Sequence, residues 1–110
     1  MMPLTWLGAE LDPLLAVVAA TITADGRLRQ ANAGYLRLIG VHGPAPKDLC
    51  VGRCFIQPNF ASLIARPADS SGEIYRGLLT MADTSGLSRS LRARVWRSGA
   101  GLRLLAEYDI

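Results

Sequence analysis

One lysine, one histidine and two cysteines are all that this 110-residue chain has of those types, and each shortage removes a class of chemistry. With His42 as the sole histidine and no third cysteine beside Cys50 and Cys54, no metal cluster is expected. His42 lies in a glycine- and proline-marked loop, a poor source of the base that a Ser, Cys or Asp nucleophile needs, so no catalytic group is expected. Paired carboxylates and phosphate-binding loops are also missing. Two cysteines four positions apart build no disulfide framework, which favours cytosolic thiols. No Lys or Arg precedes Arg27, so the apolar run LLAVVAATITA lacks the basic flank of a signal peptide. The run is also too short to span a bilayer. A cytoplasmic domain without membrane insertion is the expectation.

What is present is apolar surface and arginine. Half of the residues are apolar, which predicts an apolar face left over after folding and hence self-association, as a homodimer, or a missing partner segment. The net charge of +3 is carried almost wholly by arginine. Glu10, Asp12 and Asp25 dominate the first 26 residues, whereas Arg76, Arg89, Arg92, Arg94, Arg97 and Arg103 crowd the last third. With only Trp96 among those arginines and no glycine-rich loop between them, a nucleic-acid partner is disfavoured.

The length suits one domain. LTWLGAEL, residues 4–11, has helical apolar spacing, and Asp12-Pro13 breaks it, giving an amphipathic N-terminal helix within residues 1–14. A strand over Leu15 to Ala24 turns at Asp25-Gly26 into a second, Arg27 to Ala31. Asn32 is placed to cap a helix carrying Tyr35, Leu36 and Ile39, which Gly40 can end. NFASLIARP predicts another short helix, with Asn59 as a possible cap. Glu73 to Ala82, Arg89 to Arg97 and Leu102 to Tyr108 read as strands joined by turns at DTSG and SGAG. The order predicts an α+β domain: an antiparallel sheet with short helices covering one face.

These residues carry a family resemblance. TADGRLRQANAGYLRLIG resembles the opening of a PAS domain, DLCVGRCF resembles the family's next glycine-containing segment, and AEYDI resembles its C-terminal end. The likeness spans roughly residues 15–110, departing from the family in the proline-rich loop after Gly40 and in the stop at Ile110. It implies a five-stranded antiparallel sheet with helices on one face, structural roles for Asn32, Gly26 and Gly52, and a sensory module that hands its signal to a kinase or nucleotide cyclase. Asp109, closing the last strand, would transmit that signal.

VGRCFIQPNF, residues 51–60, is similar to the flavin–cysteine motif G-x-N-C-R-F-L-Q of the family's light-sensing branch, but contracted by one residue on each side of Cys54. One residue is about 100° of helical rotation, so Cys54 and Gln57 would not present the photochemical face. No Asn or Gln follows Asn59, which leaves no amide to read flavin's pyrimidine edge from the last strands. A photoactive flavin is therefore disfavoured, as is haem on the loop residue His42. Cys54 reads as a small buried hydrophobe in the start of a core helix.

Alternation sends Leu91, Ala93 and Val95, with Leu102, Leu104, Ala106 and Tyr108, toward the helices. Arg92, Arg94 and Trp96 face away with Arg103, Leu105, Glu107 and Asp109. A ligand-responsive sensor would hold a small apolar or amphipathic molecule near Tyr35, Phe55, Phe60, Leu63, Leu79, Leu91 and Leu104. The alternative is a ligand-free dimerisation or protein-interaction module. In either case Trp6 and Leu7 are expected to cover Trp96 and Leu105 on the outer face, within or between subunits.

Overall fold

The computed structural model describes residues 16–43 and 46–108. The expected N-terminal helix, with Trp6 and Leu7, and Asp109 lie outside these residues. Six strands and two short helices follow one another in the order β1 (Val17–Ile22), β2 (Leu28–Ala31), α1 (Ala33–Leu38), β3 (Phe55–Gln57), α2 (Phe60–Ile64), β4 (Glu73–Ala82), β5 (Ser88–Ser98) and β6 (Gly101–Tyr108). They form one antiparallel sheet ordered β2-β1-β6-β5-β4-β3.

The hairpin at Asp25-Gly26 forms as its residues predict. Thr23 and Asp25 bond through their side chains, and Gly26 takes the positive φ of +86° that the turn demands. Gly26 and Gly52, two separate expectations, turn out to be one contact. The Gly26 carbonyl accepts from the Val51 and Gly52 amides at 2.7 and 3.2 Å, and a Cβ on Gly26 would stand only 3.2 Å from the Cα of Gly52.

Asn32 caps α1 and ties it to the sheet. Its Oδ1 accepts from the amides of Tyr35 and Ala19 at 2.9 and 3.0 Å, while its Nδ2 donates to the Val17 carbonyl at 2.7 Å. The side chain is wholly buried, so these bonds compensate its desolvation. Asn59 caps α2 in the ordinary way, accepting from the Ser62 amide at 2.8 Å. At the other end of α2, Arg97 Nη2 donates to the carbonyls of Ile64 and Arg66 at 2.8 and 2.9 Å, anchoring the helix to β5.

Two expectations are corrected. The sheet has six strands rather than five, and VGRCFIQPNF is not the start of a core helix. Gly52–Cys54 make a single 3-10 turn, Phe55–Gln57 then run as an edge strand on β4, and α2 begins only at Phe60, beyond a cis Gln57-Pro58 bond. A proline at position 58 donates no amide and disfavours helix in the residue before it, so the helix starts past it, at the Asn59 cap.

Candidate functional site

Strand register sorts the side chains into two faces. Toward the helices point Val18, Ala20 and Ile22 of β1, Leu79 and Met81 of β4, Leu91, Ala93 and Val95 of β5, and Leu102, Leu104 and Ala106 of β6. They pack with Tyr35, Leu38 and Ile39 into one core. All seven candidate pocket residues come together there. Tyr35, Leu63, Leu79, Leu91 and Leu104 are wholly buried, Phe55 nearly so, and Phe60 is half-buried. Phe55 and Phe60 meet edge-on, with ring centroids 5.3 Å apart.

The polar content of this interior is small. Cys54 is buried among the core residues, and burial raises its thiol pKa, with Arg53 only partly opposing. It is thereby kept as a protonated, weakly nucleophilic thiol. Cys50 is exposed. The Tyr35 hydroxyl is fully buried with no hydrogen-bond partner, and burial drives its pKa well above 10, with Cys54 adding to the shift. Among the described residues no group of three or more His, Cys, Asp or Glu can hold a metal, and His42 sits exposed in its loop.

The opposite face is a lattice of three cross-strand rows. Leu78, Arg92, Glu107 and Val17 form the first; Arg76, Arg94, Leu105 and Ala19 the second; Glu73, Trp96, Arg103 and Thr21 the third. All of the first two rows except Ala19 line an open groove of about 800 Å³, with Val17, Leu78 and Leu105 as its apolar lining and Arg76, Arg92, Arg94 and Glu107 as its charged rim. Leu78 is 56% exposed.

Glu73 organises the rim. Its carboxylate accepts from Arg76 at 3.0 and 3.2 Å and from Arg94 at 2.8 and 2.9 Å. The bonds to the two guanidiniums hold its pKa below the ordinary carboxylate value. Trp96 does face outward, as alternation requires, and the guanidiniums of Arg94 and Arg103 lie over its indole at 4.9 and 5.5 Å. Trp96 and Leu105 are thus on one face, both half-buried, but only Leu105 lines the groove.

The fold is similar to that of a solved structure. The PAS domain of an HTR-like protein from Haloarcula marismortui superposes with a TM-score of 0.61 at 13% identity, covering 90% of this chain and 84% of that one. The fold is PAS-like. No protein-family model and no curated protein matches the chain by sequence.

Sequence reasoning missed the groove, because Leu78 and Val17 stood unremarked in their strands. It also missed the bonds of Glu73 to Arg94 and of Arg97 to Ile64 and Arg66, which join residues distant in the chain. One signal was readable. DSSG (69–72) repeats DTSG (83–86), and both form the same turn: the aspartate Oδ1 accepts from the amides two and four residues on and from the serine hydroxyl.

Proposed function

We propose that this PAS-like chain is a sensory or regulatory domain of a signal-transduction protein, non-enzymatic and homodimeric. Its outer sheet face is the working surface, and the output domain is coupled through Asp109. The observation that supports this reading is the contrast between the faces: the helix side is filled by wholly buried leucines, while the groove lies on the other side. Two copies meet on the outer face once Trp6 and Leu7 cover Trp96 and Leu105. This favours the interaction module over a ligand sensor. Removing residues 1–12 should raise the dimer dissociation constant at least about tenfold, a loss of about 1.4 kcal/mol, in light scattering. An unchanged dimer, or no dimer in the full chain, overturns the reading.

Ligand sensing is the second reading, and the orphaned Tyr35 hydroxyl favours it. A buried hydroxyl without a partner costs about 1–3 kcal/mol, which a polar atom of a small ligand would recover. Native mass spectrometry of freshly purified protein, with an absorption spectrum, separates the two. A retained molecule that Tyr35→Phe loses establishes the sensor; bare chains without visible absorption leave the interaction module.

A further inference from the structure

The strand β4 is ten residues long, but its two sides are not alike. On one side β5 pairs with it from Glu73 to Ala82. On the other, β3 reaches only Thr80 and Met81, and the loop before β4 adds a bond from the Asp69 amide to the Glu73 carbonyl. Among the described residues no strand covers the stretch between these two contacts.

Register shows which backbone groups are left open. The Arg97 amide donates to the Gly72 carbonyl at 2.8 Å, so the odd-numbered residues of β5 are the ones that bond toward β4. In an antiparallel ladder such bonded pairs alternate with non-bonded pairs. Val95, Ala93 and Leu91 therefore bond Tyr75, Gly77 and Leu79. Arg76 and Leu78, opposite Arg94 and Arg92, turn their amides and carbonyls to the open side, and both residues are exposed. A row of unpaired groups of this kind is a template for another strand.

Tyr75 stands across that row. It follows a shift of register between Glu73 and Tyr75, and its hydroxyl donates to the Leu78 carbonyl, one of the open acceptors. Its ring lies against Gly77, where a Cβ would stand 3.2 Å from the hydroxyl oxygen and 3.5 Å from Cζ. Gly77 has a φ of +148°, which side chains rarely adopt, so the space under the ring stays bare on both counts. The Arg66 guanidinium stacks over the same ring, 5.0 Å from its centroid.

We propose that the β4 edge at Arg76–Leu78 is a strand-pairing site for the same edge of a second copy, and that Tyr75 is the gate that holds it shut. The occupant follows from the edge being complementary to itself. Antiparallel pairing about a two-fold axis at Gly77 sets Arg76 opposite Leu78 of the second copy. Each open amide then meets a carbonyl, and no like charges stand opposite one another. Gly77 meets Gly77 of the second copy at a non-bonded pair, where strands approach most closely, with no side chain between them. The site lies on the rim of the sheet and is separate from its outer face.

Opening the gate tests the proposal. Tyr75→Ala should raise the weight-average mass in sedimentation by about twofold over the parent at equal concentration, because a two-fold contact joins copies in pairs. Tyr75→Phe keeps the ring and loses the hydroxyl bond, and should associate more than the parent but less than Tyr75→Ala. Amide hydrogen exchange locates the contact. In the parent the amides of Arg76 and Leu78 should exchange at least about tenfold faster than those of Gly77 and Leu79, and association should slow the first two by a similar factor. Equal masses for the parent and both variants overturn the gate. Association without added protection at Arg76 and Leu78 overturns the site, and slow exchange of these amides in the parent overturns both. Should Tyr75→Ala fail to fold, Tyr75→Phe decides by the same two measurements, since its ring still packs on Gly77.

Discussion

Leu104 and Leu105 are neighbours on one strand and live in different surroundings. Leu104 is wholly buried against the helices, while Leu105 lies half-buried in an arginine-rimmed groove. The same contrast separates Leu79 from Leu78 on β4, the first fully buried and the second 56% exposed. A sheet of period two gives every strand both environments, so a face closed by helices and a face with an open groove are written in alternate letters.

Leu104→Ala should break the inner face, with a cost of about 3 kcal/mol in denaturant unfolding, because the cavity cannot collapse among wholly buried neighbours. Leu105→Ala should cost less than about 1 kcal/mol in the same measurement. Equal losses would abolish the distinction between the faces. Next in size comes Asn32→Ala. It leaves the amides of Ala19 and Tyr35 and the carbonyl of Val17 without that partner and should cost about 2 kcal/mol, read as a loss of thermal stability. A loss as small as that of an exposed helix cap would show that α1 is not held to the sheet by this side chain.

Thiol titration sharpens the comparison without a mutation. Exposed Cys50 should react with an aromatic disulfide at least about tenfold faster than buried Cys54, and denaturant should equalise them. Equal native rates would mean that the interior is open. The smallest effect is electrostatic. Glu73 has a folded pKa below its unfolded value of 4.5, so its contribution is present above about pH 4.5 and is lost as pH falls through the lower, folded value. Glu73→Gln should therefore flatten the acid limb of a stability–pH curve and leave its slope near neutrality unchanged.

Local chemistry was legible wherever a residue acts within a few positions of itself. The Asp25-Gly26 hairpin, the Asn32 and Asn59 caps and the bounds of β4 all follow from nearby residues. VGRCFIQPNF misled because its apolar spacing allows helix. Pro58 delays the helix, and Phe55 and Gln57 pair as a strand with the distant residues Met81 and Thr80. Asn32 was readable as a cap, but its bonds to Val17 and Ala19 were not, since they depend on how closely α1 approaches β1.

By itself the sequence determined which side of each strand is apolar, where the chain turns and which asparagines cap the helices, because these depend on periodicity and on backbone preferences of single residues. Only the tertiary structure decided that Gly26 meets Gly52, that Glu73 joins Arg76 to Arg94, and that Val17, Leu78 and Leu105 from three different strands share a groove. Cross-strand register sets those meetings, and register is fixed by the sum of all pairings across the sheet rather than by any stretch of chain.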